Sequence, residues 1–498
     1  MRSKLIFLMF YISLAFVFGG CSFTSFYKFS DTQASISHVL QDSIYSHMQW
    51  GILIESMEHE EILYQINANK LFLPASNQKI ITAATALHIL KPDYTYQTKL
   101  YYSGEIVDSI LIGDLVIEGN GDPSLTRDFY SDPRQMFISI ADTLKSWGVK
   151  KITGNIIGDD NSFDDIGLGN GWMLEDLKYS FASELGALQI NNNSVSIEIH
   201  PPARSNDHIV IIPDLNSSYY KIFNDLTVSS DSLTRIDIER PIGSNDIYLS
   251  GIVQVGSPIR SKTISLTNST LFYLTVFKET LIDNGVEVEG IVQDCDDIEN
   301  WHLDENKLSL ITKHNSPILL DLLKFMMKES NNLQAETLIR SLGIDQNMTG
   351  SFENGKKVVQ MFLLDMGIQP EDYAFYDGSG LSRYNLISPE QIVNVLKGSF
   401  KTEERDLWMD TIPVRGNYDE FNNLIIRTKD KGNIRAKTGT MSNIRCLSGY
   451  IELPGDTIVF SFMVNGHLLK TWEIDLLIDR ILVFILNGYK DKSSVLIS

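Results

Sequence analysis

Three cysteines among 498 residues are too few to staple a chain of this size. Cys295 and Cys446 show no metal-ligand spacing and read as two buried free thiols, a disulfide between them being the alternative in an oxidising compartment. The nine histidines form no His-Glu-x-x-His or similar set, so neither a metal nor another cofactor is expected. His59, flanked by Glu58 and Glu60, fits a solvated hairpin tip better than a ligand. Positive charge is scarce too. With 42 Lys and Arg against 63 Asp and Glu the net charge is −21, which opposes a phosphate backbone and argues against nucleic acid as a partner. Beyond the N-terminus no apolar run could span a bilayer, residues 481–486 being far too short.

What is present begins with Met1-Arg2-Ser3-Lys4, an apolar stretch over 5–18 and Gly19-Gly20-Cys21. This is the layout of a signal peptide. Cys21 after two small residues fits a bacterial lipoprotein cleavage site, although Phe18 stands where an aliphatic residue is usual; ordinary secretion and a retained anchor are the alternatives. The expectation is export to the periplasm or cell envelope, with residues 1–21 as signal peptide, a linker over 22–35, and membrane contact through a lipid on Cys21. The four Asn-x-Ser/Thr triplets, at Asn192, Asn216, Asn268 and Asn347, are what chance supplies in an Asn- and Ser-rich chain.

An apolar content of 43% and the length imply two or three packed domains. A helical pattern over 36–45 precedes two short strands, 50–55 and 62–66, and then a helix over 80–90 that Lys91-Pro92 stops. From residue 94 the texture becomes short strands and turns, including 96–103, 114–118 and 152–157, with helices over 133–147 and 268–284. Gly119 and Gly121 lack the rest of a dinucleotide fingerprint and read as turn glycines. Helices are expected over 317–343, 354–366 and 389–397, strands over 433–437, 445–453 and 457–465, and a last amphipathic helix over 469–486. The fold class is α/β, in the α+β sense. Residues 36–93 and 310–498 are expected to join into one sheet-plus-helix domain, with 94–309 looped out as β-rich domains, two of them, nested.

The chemistry starts at Leu73-Pro74-Ala75-Ser76-Asn77-Gln78-Lys79. Ser76 stands near a helix start, and residues three apart share a helix face, so Lys79 is within reach of its hydroxyl. A serine needs a base to become nucleophilic near neutral pH, and a lysine serves only if burial or nearby cations lower its pKa. A Ser-x-x-Lys pair arises by chance in a chain this long. Two further motifs make it a constellation: Ser330-Asn331-Asn332 between two helices, and Lys437-Thr438-Gly439-Thr440 on an edge strand, where the small Gly439 would let an extended substrate lie alongside.

This ordered set resembles the motifs of penicillin-binding proteins and β-lactamases. The 254 residues from Ser76 to Ser330 exceed what a compact β-lactamase places there. The spacing is similar to the class C low-molecular-mass penicillin-binding proteins, the D-alanyl-D-alanine carboxypeptidase/endopeptidase family. So are Gly119-Asn120-Gly121-Asp122-Pro123, Gly171-Trp172 with Asp176-Leu177, Asp377-Gly378-Ser379-Gly380-Leu381-Ser382-Arg383, and the sequence running on from Lys437-Thr438-Gly439-Thr440. The resemblance covers about 36–490.

It implies a penicillin-binding-protein/β-lactamase-like transpeptidase fold and a serine D,D-peptidase acting on peptidoglycan stem peptides, with β-lactams as inhibitors. Ser76 would be acylated, Lys79 its base, Ser330 the proton donor to the leaving amine, and Lys437 a source of positive field. Asn332 would bind the substrate backbone, Thr438 and Thr440 the terminal carboxylate, and the Ser76 and Thr440 N–H groups the oxyanion. Ser379 and Arg383 would border the substrate, or else form a tight turn. Asp159 and Phe163 match, by loose spacing, positions that relatives use to grip the stem peptide's side-chain amine, or form a turn with an aromatic plug. A β-lactamase or esterase on the same fold, and a catalytically idle cell-wall sensor, are the other readings.

Overall fold

A computed structural model describes residues 33–34, 36–40, 45, 47–414 and 434–496. The signal peptide, Cys21 and Asn433 lie outside the described residues. The chain divides into two compact units: 1–77 with 386–402 and 412–498, and 78–385 with 403–411.

In the first unit, β1 (Gln49–Ser56) and β2 (Glu61–Ile66) meet β3 (Ile434–Met441), β4 (Ile444–Leu453) and β5 (Asp456–Asn465) in one antiparallel sheet, ordered β3-β4-β5-β1-β2. Strands from the first and last parts of the chain thus share one sheet. β5 and β1 pair in full register from Gln49↔Asn465 to Ser56↔Ile458. Alternation sorts the side chains. Ile52, Ile54, Leu447, Ile451, Phe460 and Phe462 form one core with Ile474, Ile478, Ile481 and Ile485 of the helix Thr471–Leu496. The helix Pro389–Phe400 also packs on the sheet; it starts with Ser388 in a capping box with Gln391 and Pro389 in its first turn, and Tyr450 donates to the Leu396 carbonyl at 2.7 Å.

In the second unit, α1 (Gln78–Leu90) packs against α2 (Leu319–Glu329), α3 (Asn332–Asp345) and the helix Phe352–Asp365. Small residues, Ala83, Ala84 and Ala86, let α1 bury almost its whole length. The described strands between residues 97 and 315 pair only among themselves, in sheets of three, three, four and five strands. The single strand expected over 152–157 is two. Lys151–Ile152 runs parallel to Ile110–Ile112 in the four-stranded sheet, and Ile156–Asp159 parallel to Leu115–Glu118 in the five-stranded one. The chain changes sheet at Gly154, where a Cβ would stand 2.2 Å from the Gly113 carbonyl oxygen. Residues 310–315, expected to open the second segment of the catalytic domain, fall in Ser309–Asn315, the edge strand of the five-stranded sheet against Gln97–Tyr102. Both Cys295 and Cys446 are buried free thiols, as expected. No helix among the described residues is long and apolar enough to cross a membrane.

Candidate active site

Ser76 is carried by the 3-10 turn Ala75–Asn77, which leads straight into α1, so the serine does stand at a helix start. Ala75 takes φ 46, a left-handed conformation that costs an L-residue about 1–2 kcal/mol. Asn77, fully buried, anchors the turn on the sheet. Its Nδ2 donates to the Lys437 carbonyl at 2.9 Å, and its Oδ1 accepts the Ser448 hydroxyl at 2.6 Å. Gly439 lies beneath: a Cβ there would stand 2.7 Å from the Pro74 oxygen and 3.1 Å from the Ser76 and Asn77 nitrogens. The space that Gly439 frees is thus taken by the serine's turn, whereas a substrate strand was expected to need it. Ser76 is half-buried, Lys437 is buried with Nζ donating to the Thr438 carbonyl at 3.1 Å, and Thr440 is exposed. The outer edge of β3 is covered at Arg435 and Ala436 by Pro413 and Val414. Among the described residues no strand pairs with Thr438–Thr440 on that side.

In the second unit, Lys79 is fully buried on α1. Its Nζ donates to Asn332 Oδ1 at 2.5 Å and to the Ser379 carbonyl at 2.7 Å. Burial pulls the amine down to about 7 against the charges of Asp377 and Glu336, which pull the other way. A lysine that is half neutral near pH 7 can accept a hydroxyl proton. Asn332 opens α3 and also donates from Nδ2 to the Phe181 carbonyl at 2.7 Å. Ser330 caps α2 at φ 59, half-buried in the corner between the two helices. The helix–corner–helix placement of Ser330-Asn331-Asn332 is as expected.

Four other positions carry two readings each in the sequence, a substrate contact or a turn. The Ser379 side chain is fully buried, accepting the Leu381 N–H, and it is the carbonyl that meets Lys79. Arg383 is half-buried against the 171–173 segment, its N–H on the Gly171 carbonyl and its Nε on Met173 Sδ. Asp159 is buried and accepts the Trp301 indole N–H at 2.8 Å. Phe163 plugs a small core with Leu185, Ala187 and Leu333. The turn with an aromatic plug is the arrangement observed there, and a buried carboxylate already holding an indole is poorly placed to grip an amine. Asp160, Asp294 and Cys295 bring three ligand-type atoms within 4.8 Å of one another, but burial pushes the thiol far above its usual range.

Sequence reasoning passed over Glu336 and gave Asp377 no role. Glu336, buried on α3, accepts the Gly378 and Ser379 N–H groups at 3.0 and 2.8 Å, and burial with the Asp377 charge raises it to about 7. Asp377 accepts from Trp172 Nε1, Asn385 Nδ2 and the Gly380 and Ser382 N–H groups. The signal for Glu336 was its spacing: four residues after Asn332 and four before Arg340, it shares their helix face.

The D-Ala-D-Ala carboxypeptidase 3 (S13) family matches residues 32–478. The D-alanyl-D-alanine carboxypeptidase of Actinomadura sp. (strain R39) is 28% identical over 454 residues, 88% of this chain and 82% of that one. The D-alanyl-D-alanine carboxypeptidase DacB of Haemophilus influenzae is 27% identical over 424 residues, 84% of this chain and 85% of that one. The crystal structure of penicillin binding protein 4 (dacB) from Haemophilus influenzae superposes with a TM-score of 0.77 at 26% identity, covering 92% of this chain and 98% of that one. The chain belongs to the D-Ala-D-Ala carboxypeptidase 3 (S13) family and is a serine D,D-peptidase.

Proposed function

We propose that Ser76 is the acylated nucleophile and Lys79 its general base, on peptidoglycan stem peptides ending in D-Ala-D-Ala. The observation that carries this reading is the buried Lys79 amine, brought down to about 7 and aimed by Asn332 Oδ1 and the Ser379 carbonyl. Ser76 Oγ attacks the carbonyl carbon of the penultimate D-alanine as its proton passes to neutral Lys79. Negative charge gathers on the carbonyl oxygen, where the Ser76 and Thr440 N–H groups receive it. The C–N bond then breaks, and Ser330 relays a proton to the departing D-alanine amine. Water adds to the ester and releases the shortened peptide. Lys437 supplies positive field, Asn332 holds the substrate backbone, and Thr438 and Thr440 take the terminal carboxylate. Among the described residues no strand pairs with Thr438–Thr440 at the outer edge of β3, which supports an extended substrate lying there.

The same acylation makes the protein a target of β-lactams, whose leaving group stays tethered and leaves a stable ester. Cross-links whose acyl donor is D-alanine present the same bond, so endopeptidase action belongs to the proposal. So does the division into a catalytic domain, 36–93 with 310–498, and inserted β-rich domains over 94–309; the strands between 97 and 315 pair only with each other, which supports an insertion and carries it on through Ser309–Asn315. Export to the periplasm or cell envelope and lipidation of Cys21 rest on the basic start, the apolar stretch and Gly19-Gly20-Cys21. Radiolabelled fatty acid should enter the wild-type chain and not Cys21→Ser.

Labelled penicillin tests the core of the reading. The adduct should map to the peptide holding Ser76, and D-alanine should be released from a stem pentapeptide. Equal labelling of Ser76→Ala would overturn it. Fast β-lactam turnover would favour a β-lactamase, and tight muropeptide binding without D-alanine release an idle sensor.

A further inference from the structure

Thr440 is exposed on the outer strand of the five-stranded sheet, and the residue paired with it on β4 is Arg445. Arg445 is 3% exposed. Its Nε and Nη2 donate to the two carboxylate oxygens of Asp475, on the helix Thr471–Leu496, at 2.7 and 3.0 Å, and its Nη1 donates to the Thr440 hydroxyl. Asp475 is itself 3% exposed. Neither Arg445 nor Asp475 is among the candidate site residues of the sequence.

The chemistry of the three groups fixes a direction. A guanidinium only donates, whereas a hydroxyl both donates and accepts. With Nη1 occupying a lone pair of Thr440 Oγ1, the hydroxyl proton is turned away from the arginine. The order Asp475, Arg445, Thr440 runs from the buried helix to the exposed strand edge, so the cationic end of the ion pair stands nearest that edge. A bidentate arginine–carboxylate pair also holds the guanidinium plane rigid. Burying such a pair costs desolvation that apolar side chains of similar volume would avoid. Packing alone therefore does not account for it.

We propose that Arg445, braced by Asp475, is a positioning residue for substrate: it commits the Thr440 hydroxyl to donating and makes the strand edge positive for the free α-carboxylate on the leaving side of the scissile bond. This rests on the reading of Thr440 as a carboxylate contact.

The test compares two substrates, a stem pentapeptide with a free C-terminal carboxylate and the same peptide as its C-terminal amide. Wild type should prefer the acid at least tenfold in kcat/KM. Arg445→Ala should cut that preference about tenfold or more, chiefly by raising KM for the acid. Arg445→Lys, which keeps charge without the fork, should recover part of it, and Asp475→Asn should lie between. A purely structural role would depress both substrates together and leave the ratio unchanged; that outcome, in Arg445→Ala or in Arg445→Lys should the alanine variant not fold, overturns the inference. Thr440→Ala separates the two levels: if it leaves the acid-to-amide ratio intact, the reading of Thr440 itself fails. If it removes the preference while the Arg445 variants keep it, only the inference about Arg445 fails.

Discussion

Glu336 and Ser379 are joined so that one residue's carboxylate holds the backbone that meets the base. The carboxylate accepts the Ser379 N–H at 2.8 Å, and the Ser379 carbonyl accepts from Lys79 Nζ at 2.7 Å. Glu336 holds the Lys79 amine up while burial pulls it down. Glu336→Gln keeps an acceptor for the two N–H groups and removes the charge. The acid limb of kcat/KM, which rises with pH as Lys79 loses its proton through about 7, should move to lower pH in this variant. An unchanged limb in a folded Glu336→Gln enzyme would separate the limb from Lys79.

Lys79 also ties activity to stability in opposite directions. Its folded pKa lies below its unfolded one, so the unfolded chain binds more protons between about 7 and 10.5 and stability gains from this residue as pH rises through that window. Below 7 the burial penalty is complete. Lys79→Met should abolish acylation yet raise the melting temperature, by more at pH 6 than at pH 9. Thermal melts at the two pH values decide it, and equal shifts would contradict the depressed pKa.

Gly439→Ala should push the Pro74–Asn77 turn off the sheet, because the atoms it meets are backbone and cannot swing aside. A loss of about 1–3 kcal/mol is usual for such overpacking. Penicillin acylation should fall by more than the melting temperature suggests, since the displaced turn carries the nucleophile. Acylation at the wild-type rate would show that the turn adapts.

Asp377→Asn replaces an acceptor of at least four N–H groups with a side chain that must itself donate. We expect a loss of about 2–4 kcal/mol by denaturant unfolding, because a buried donor is left facing another donor. Trp172→Phe removes one of those donors only and should cost about 1 kcal/mol.

Much of this was legible from residue order. The three motifs named the chemistry, and the apolar alternation around Trp50 to Glu55 and 457–465 named the strands that unite the two ends of the chain. What stayed hidden depends on partners distant in sequence. Asp159 could be an amine grip or a turn until Trp301, 142 residues on, is seen occupying it. Ser379 could border the substrate or form a tight turn, and only the fold shows its side chain buried and its carbonyl on Lys79 Nζ. The break at Gly154 has no local signal, since the constraint comes from Gly113 in another strand. Arg445 is one cation in an apolar strand, and only the register opposite Thr440 gives it meaning.

The edge strand Ser309–Asn315 sets a clock on synthesis. Its partner, Gln97–Tyr102, leaves the ribosome 309 − 97 = 212 residues earlier, which at about 5–20 residues per second is a wait on the order of ten to forty seconds. Through that interval one side of the five-stranded sheet has no mate and offers its backbone to any extended chain nearby. Lys99, which in the finished sheet reaches Glu118 and Glu305, sits on that waiting strand and places a charge where a stray strand would have to dock.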